Sequence, residues 1–145
     1  MSIHAITEKD LSNLRQWKND HREFFFYKEE ISSEQQQDWF CEYQKRLDDY
    51  MFIVKVDDVE IGCMGIRLFS DAWDIYNVIR ANQNGKGAMS SALQSMIRFA
   101  ESRHSFPITV KVLKNNVAVD WYKKNGFVEI SEHPDYFGMV YEEVK

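Results

Sequence analysis

The chain has 145 residues, 44% of them hydrophobic and 28% charged, which fits one globular domain that buries a proper core. Its net charge is −5, whereas a general nucleic-acid binder carries an excess of basic residues, so we expect no nucleic-acid partner. The longest apolar runs, such as residues 51–54, are too short to span a bilayer, so we expect no membrane association.

The N-terminus and the cysteines indicate a cytoplasmic protein. Residues 1–4 lack a charged region followed by an apolar stretch, so no secretory signal is expected. Cys41 and Cys63 do not form a C-x-x-C pair, and both lie in segments that look regular and buried. We therefore expect reduced core thiols rather than a disulfide, and no metal site.

Two helices are predicted in the first third of the chain. A short strand at residues 3–6 precedes Thr7 and Asp10, which resemble a capping box that opens a helix to about Asn19. Ser32 and Ser33, with glutamines three residues later, predict a second helix to about Leu47. Its expected apolar face consists of Trp39, Phe40, Tyr43 and Leu47.

Four consecutive aromatic residues, Phe24 to Tyr27, lie between these helices and show no clear period. This run is either a loop that contacts the substrate or a set of rings that plugs the end of the core. Both interpretations remain open at this point.

The middle of the chain predicts three strands, at residues 50–56, 59–69 and 73–79. Asp57-Asp58 forms the turn between the first two. Gly62 and Gly65 lie inside the second of these strands, which indicates a bulge or a close approach by another group.

A glycine-punctuated loop, Asn84-Gly85-Lys86-Gly87, follows the third of these strands and leads into a helix at about residues 89–103. Glycine has no Cβ, so a loop of this kind lets a phosphate approach the backbone, where the free N–H groups of a helix start bind it. The alternative is a plain strand-to-helix turn. The predicted buried stripe of the helix is Met89, Ala92, Leu93, Met96, Ile97 and Ala100.

The last third of the chain predicts a strand at residues 108–113 and a helix that begins at Asn115-Asn116. Asn125-Gly126 ends this helix in the manner of a left-handed C-cap, and strands follow at residues 127–131 and 137–143. Interleaved strands and helices without a linker predict a single α/β or α+β domain, residues 1–145, around a central mixed sheet.

Two motifs in a fixed order resemble the GNAT superfamily of acyl-CoA-dependent N-acetyltransferases. The family's pyrophosphate loop reads Arg/Gln-x-x-Gly-x-Gly/Ala, and here Asn84, Gly87 and Met89 take its three defined positions. The Asn84 side chain has less charge or less reach toward a phosphate than the Arg or Gln usual at that position, and Met89 replaces the usual small residue. The family's second motif, Asn-x-x-Ala-x-x-x-Tyr-x-x-x-Gly-Phe, is met by Asn115, Ala118, Tyr122, Gly126 and Phe127.

The resemblance implies a GNAT-like fold, with a central, mixed, mostly antiparallel twisted sheet flanked by about four helices. It also implies acetyl-CoA as co-substrate, no metal, and a monomer or homodimer. In this family two parallel strands splay apart around the acyl group, and backbone groups beside it bind the pantetheine arm. The implied cofactor-binding residues are Val78, Ile79, Arg80, Asn84, Gly85, Lys86, Gly87, Ala88, Met89, Ser90 and Asn115.

Tyr122 and Asp74 are the candidate catalytic residues. A phenol with a pKa of about 10 keeps its proton at neutral pH and can supply it to a departing thiolate, unless Tyr122 is simply core packing. Asp74 is either the base that deprotonates the amine or a solvated carboxylate at a strand end. Asn115 either binds the pantetheine arm or caps a helix.

The acceptor is expected to be a small-molecule amine. The variable half of the chain resembles GNAT members that acetylate amino sugars on nucleotide carriers, and aromatic faces suit sugar rings and nucleobases. Strand alternation predicts that Asp74 and Tyr76 point to one face and Asn77 to the other. A protein N-terminal or lysine acetyltransferase, and a non-catalytic CoA-binding module, remain alternatives. The expected acceptor-binding residues are Phe26, Tyr27, Trp39, Tyr76 and Asn77.

Overall fold

The structure is a computed structural model that describes residues 1–83 and 85–142, so the predicted role of Asn84 lies outside the described residues. The described residues form one sheet and four α-helices, with short 3-10 turns at Glu8–Asp10 and Arg22–Phe24. The elements in chain order are β1 (Ser2–Ala5), α1 (Leu11–Asp20), α2 (Ser33–Lys45), β2 (Asp49–Val56), β3 (Val59–Phe69), β4 (Ala72–Arg80), α3 (Ala88–Arg103), β5 (Ile108–Leu113), α4 (Ala118–Lys124), β6 (Phe127–Glu132) and β7 (Tyr136–Tyr141).

The seven strands form one mixed sheet in the order β1-β2-β3-β4-β5-β7-β6. Every neighbouring pair is antiparallel except β4 and β5, which run parallel. A parallel pair needs a crossover connection, and α3 supplies it. The predicted fold class, a mostly antiparallel mixed sheet with about four helices, is confirmed.

The parallel strands β4 and β5 pair over three residues only. Their register joins Trp73 to Ile108, Asp74 to Thr109 and Ile75 to Val110, and these are the pairs that the described residues of β4 and β5 form. Strand β4 itself continues to Arg80. The sheet therefore opens into a gap between the C-terminal halves of these two strands.

Both faces of the sheet are buried by helices. The stripe predicted for α3, which includes Leu93 and Met96, is buried against the face that carries Ile66 and Trp73. The opposite face packs Met51 and Ile53 against α1 and α2. Fully burying one such side chain contributes roughly 1.5–3 kcal/mol, so both layers hold the sheet in place.

Close contacts between β3 and β4 explain the two glycines of β3. A Cβ on Gly62 would lie 2.1 Å from the carbonyl oxygen of Ile79, and one on Gly65 would lie 2.7 Å from the ring of Tyr76. The register also shifts between Cys63 and Gly65, because β4 carries a bulge. The predicted bulge or close approach is thus confirmed in both senses.

The bulge interrupts the regular alternation of side-chain directions that the sequence predicts along β4. Asn77 adopts a left-handed conformation, with φ of 49°, instead of the extended backbone that alternation assumes. Its side chain consequently lies against α1 and lines the same cavity as Asp74 and Tyr76. The prediction that Asn77 points to the opposite face is wrong, because a bulge re-aims the side chains that follow it.

Three local predictions also need correction. Cys41 is exposed on α2, so only Cys63 is a buried thiol. Leu47 is 89% exposed, because α2 ends at Lys45 before the apolar spacing reaches it. The fourth helix begins at Ala118 rather than at the asparagine pair. Within the described residues, no helix has the length and apolar character needed to cross a membrane.

Candidate active site

A cavity of about 340 Å³, called here the loop-side cavity, lies where the end of β4 meets the starts of α3 and α4. The cavity lies beside the half of β4 that extends past its last pair with β5, so it contacts the edge of β4 that faces the gap. The predicted cofactor-binding residues Val78, Ile79, Arg80 and Met89 line it, together with Asn116 and Trp121.

The two loop glycines both have positive φ, 73° at Gly85 and 79° at Gly87, but they face different surroundings. A Cβ on Gly85 would lie 2.7 Å from a methyl group of Val56, so this glycine fits the loop against β2. A Cβ on Gly87 would meet nothing within 4 Å in the described part of the chain. Gly87 therefore leaves open space next to the backbone at the start of α3.

The start of α3 presents N–H groups toward that space. The N–H groups of Ala88 and Ser91 donate to the carbonyls of Gly85 and Gly87, at 2.9 and 3.1 Å. Those of Met89 and Ser90 have no partner among the described residues, as expected for a first helical turn. Such groups, at the positive end of the helix dipole, bind anions.

Several predicted cofactor residues have defined structural roles. The guanidinium of Arg80 donates to the carbonyls of Asn82 and Gln83, at 3.2 and 2.9 Å, and so holds the loop. The hydroxyl of Ser90 accepts hydrogen bonds from Trp121 and Asn125 and ties α3 to α4. Ala88 is buried and Lys86 is exposed.

Of the two asparagines before α4, Asn116 rather than Asn115 lies at the loop-side cavity and contacts the start of the helix. Asn115 is exposed, donates to the carbonyl of Glu23 at 3.1 Å, and is not among the residues that line the loop-side cavity. Asn116 lines that cavity, and its side-chain oxygen accepts from the N–H of Ala118 at 2.9 Å. The second asparagine therefore satisfies the N–H of the first helical residue, whereas the N-cap position itself is Val117.

A second cavity of about 440 Å³, called here the acyl-side cavity, lies in the gap between β4 and β5. Because the sheet is open there, side chains from both of its faces reach the same space. The structure brings together both predicted catalytic residues and all five predicted acceptor residues in its lining: Tyr122, Asp74, Phe26, Tyr27, Trp39, Tyr76 and Asn77.

Tyr122 is buried, with its ring edge-on to Trp121 and Phe127 at centroid distances of 4.9 and 5.3 Å. Its hydroxyl has no hydrogen-bond partner among the described residues. Every fully buried side-chain nitrogen or oxygen atom in those residues does have a partner, so the Tyr122 hydroxyl is not fully buried. The hydroxyl therefore faces the acyl-side cavity. Burial, with a smaller effect of the Asp74 carboxylate, raises the pKa of Tyr122, so the phenol remains protonated.

Asp74 pairs with Arg67 on β3, with 3.1 Å between Nε and the carboxylate. Burial raises the pKa of Asp74, and Arg67 only partly offsets this effect. The guanidinium of Arg67 also lies 4.2 Å from the ring centroid of Tyr76. The hydroxyl of Tyr76 donates to the buried carboxylate of Asp49 at 2.5 Å, which fixes the ring at the cavity wall.

Lys18 lies at this site although it was not among the predicted site residues. Its Nζ donates to the side-chain oxygen of Asn77 at 2.5 Å and lies 3.5 Å from the ring centroid of Phe25. Burial lowers the pKa of Lys18 to about 8. The sequence does contain a sign of this position, because Leu11, Leu14 and Lys18 fall on one helical stripe, where a lysine is unusual.

The remaining titratable clusters lie away from these cavities. His104 pairs with Asp48 at 2.9 Å and joins the end of α3 to β2. Ligand atoms of His4, Asp10 and Glu60 lie within 4.8 Å of one another. Both carboxylates of this cluster already have protein partners, since Asp10 accepts a hydrogen bond from the N–H of Thr7 and Glu60 accepts one from the side chain of Asn13.

We predict that Lys18→Met raises the free energy of unfolding at pH 7 by about 2–3 kcal/mol, because it removes the cost of burying an ammonium group. The folded pKa of about 8 lies below the value of 10.5 for an unperturbed lysine. Between these pH values the unfolded chain binds more protons, so wild-type stability should rise with pH relative to the variant.

Urea unfolding at pH 7, 8, 9 and 10 measures this difference. Lys9→Met, at an exposed lysine, is the matched control and should follow wild type. A constant difference between wild type and Lys18→Met across this range would show that the ammonium is not desolvated.

Comparison with known proteins agrees with this geometry. A sequence profile of the acetyltransferase (GNAT) domain matches residues 1–128. A search of curated protein sequences finds no significant match. Among solved structures, the PaiA N-acetyltransferase of Thermoplasma acidophilum, in complex with coenzyme A, is similar at a TM-score of 0.74 with 17% identity, covering 98% of each chain.

Two further structures with the same fold are named for different activities. A spermidine N-acetyltransferase SpeG variant from Vibrio cholerae has a TM-score of 0.80 and 16% identity, covering 97% of this chain and 94% of its own. FdhC, described as a nucleotide-linked sugar GNAT, has a TM-score of 0.76 and 21% identity, covering 96% and 84%. Since the family profile spans most of the sequence, the chain belongs to the GNAT acetyltransferases.

Proposed function

We propose that this GNAT acetyltransferase transfers an acetyl group from acetyl-CoA to the primary amine of a small molecule, with a nucleotide-linked amino sugar as first choice. We further propose a cytoplasmic enzyme that acts as a monomer or homodimer. The observation that carries the proposal is the gap between β4 and β5, in which Tyr122 and Asp74 face one cavity from opposite faces of the sheet.

The loop-side cavity fits the donor. The N–H groups of Met89 and Ser90, with the open space at Gly87, suit a pyrophosphate, and Lys86 adds a cation nearby. The backbone of Val78 and Ile79 lies beyond the last pair that β4 forms with β5 in the described residues, so it offers hydrogen-bonding groups to an extended pantetheine arm. Val78 lines both cavities, so a ligand held along this strand would reach the acyl-side cavity.

Bound acetyl-CoA supplies a thioester carbonyl that an amine can attack directly. Asp74, whose raised pKa makes it a better proton acceptor than an ordinary carboxylate, removes a proton from the acceptor's ammonium. Tyr122 retains its proton and donates it, or a hydrogen bond, to the departing sulfur. The cavity walls contribute mainly by holding both substrates close together in the correct orientation.

The charges of the acyl-side cavity favour an acceptor that is itself negatively charged beyond the amine. Among the described residues, its lining includes three cationic side chains, Lys18, Arg67 and Lys111, but one acidic side chain, Asp74. A polyamine would place several positive charges beside these cations and would be repelled. A sugar on a nucleotide carrier combines an amine with phosphates and with rings that suit Phe26, Tyr27 and Trp39.

The loop geometry predicts that Gly87→Ala and Gly85→Ala act on different properties. Both introduce a Cβ at positive φ, which costs about 1 kcal/mol. Gly87→Ala should weaken CoA binding about tenfold, because its methyl group enters the space left for phosphate. Gly85→Ala should instead lower the free energy of unfolding by a further 1–3 kcal/mol, because its methyl group meets Val56.

Calorimetric titration with CoA and urea unfolding of both variants provide the two readouts. Equal CoA affinity in wild type and Gly87→Ala would remove this loop from the donor site.

For Tyr122→Phe we expect kcat to fall about 100-fold while acetyl-CoA affinity changes less than about threefold, since only the hydroxyl is lost. Tyr141→Phe is the matched control, because its hydroxyl contacts Gln94 and does not line either cavity. Steady-state assays of CoA release compare the variants. An unchanged kcat in Tyr122→Phe would exclude Tyr122 from the chemical step.

The acceptor class is tested with a panel of three amines: a uridine-diphosphate-linked amino sugar, spermidine and a peptide with a free N-terminal alanine. We expect the sugar nucleotide to have the highest kcat/KM, by at least about 100-fold over spermidine, because of the cavity charge. Product mass identifies the acetylated molecule. A preference for the peptide would favour a protein acetyltransferase, and CoA binding without transfer to a broader panel of amines would favour a non-catalytic module.

A further inference from the structure

The ammonium of Lys18 is a cation held only by neutral groups. It donates to the side-chain oxygen of Asn77 at 2.5 Å and lies over the ring of Phe25 at 3.5 Å. In the described part of the chain it forms no ion pair. Arg67, at the same cavity, pairs with Asp74, and Arg46 pairs with Asp49.

Burying a charge without a counter-ion is costly, so a partly buried, unpaired lysine attracts an anion. Lysine has three N–H donors, and Asn77 uses one of them. The remaining donors are available to a ligand that enters the cavity.

The position of Lys18 connects two cavities. Besides the acyl-side cavity, it lines a cavity of about 330 Å³ beside α2, called here the α2-side cavity. The two share Lys18, Tyr27, Trp39 and Asn77. The α2-side cavity also presents the amide groups of Gln35 and Gln36 next to Trp39, a combination of hydrogen-bonding and ring-stacking groups. An acceptor that fills both cavities must pass the ammonium of Lys18.

We propose that Lys18 is a specificity-determining residue that binds a phosphate of the acceptor, and that the α2-side cavity holds the nucleoside of its carrier. This inference rests on the proposed function. The amine then lies near Asp74, and the phosphate lies between the two cavities.

Binding of a phosphate should be coupled to proton uptake. The titratable and charged groups that line the two cavities with Lys18 are Cys63, Arg67, Asp74 and Tyr76 on β3 and β4, Lys111 on β5, Tyr122 on α4, Tyr136 on β7 and Tyr27 before α2. Of these, Cys63 and Arg67 act electrostatically on Lys18. Burial raises the pKa of Cys63 to about 12, so this thiol supplies no negative charge at neutral pH. A bound phosphate would favour the charged lysine, so phosphate affinity should be greatest below pH 8 and fall above it.

The test is calorimetric titration of uridine diphosphate and of inorganic pyrophosphate into protein saturated with CoA. Saturation fills the donor site, so neither probe can bind there. At pH 8, in two buffers of different ionisation enthalpy, we expect uptake of about half a proton per uridine diphosphate bound. Lys18→Gln should weaken this binding at least about tenfold and abolish the uptake, while its CoA affinity stays that of wild type.

Lys9→Gln is the matched control, because Lys9 is exposed and lines none of the three cavities. It should retain proton uptake and lose less than about threefold in affinity. Pyrophosphate should bind more weakly than uridine diphosphate if the α2-side cavity holds the nucleoside.

Equal affinity for uridine diphosphate in wild type and Lys18→Gln, or binding without proton uptake, would overturn the assignment of Lys18. Absence of uridine diphosphate binding to CoA-saturated protein would overturn the inference while leaving acetyl transfer to other amines intact. Failure of CoA itself to bind would instead overturn the proposed function.

Discussion

The early separation of β4 from β5 is the constraint on which the rest of the site depends. After Ile75 and Val110 the two strands no longer pair, which leaves backbone groups on β4 available to a ligand in the middle of a sheet. Unpaired backbone groups inside a protein need other partners, so a sheet opened in this way is suited to a bound extended molecule. The same gap lets Tyr122, from the helix on one face, and Asp74, on the other, line one cavity.

The bulge in β4 shapes the opposite side of the gap, where the proposed function places the acceptor. Its left-handed Asn77 turns toward α1 and contacts Lys18, so a local irregularity of one strand brings a lysine from a distant helix to the site. Gly65 allows the ring of Tyr76 to lie flat on β3, where Arg67 and Asp49 hold it. The proposed donor and acceptor sides therefore meet at one segment of β4.

Periodicity and the two motifs predicted most of the fold, and most of the residues that they predicted for the site line the two cavities beside β4. The stripe on α3, the bounds of β3 and β5 and the left-handed Gly126 agree with the structure, because each depends on local spacing or on one conformational requirement. The side on which Asn77 lies could not be predicted, because a bulge depends on the pairing of two strands. Lys18 and Arg67 were missed as site residues for a related reason: their importance comes from neighbours that are distant in sequence. Asn116 rather than Asn115 contacts the start of α4, because this helix begins at Ala118, two to three residues later than the sequence predicted.

Mapping the backbone amides by nuclear magnetic resonance during a titration with acetyl-CoA tests the central claim most directly. If the thioester arm lies along the unpaired half of β4, chemical shifts should change most at Val78, Ile79 and Arg80 and at Gly85 to Ser90. The amides of β1, at the far edge of the sheet, should change little. Saturable binding with its largest changes on β1 and β2, or no binding, would contradict the account.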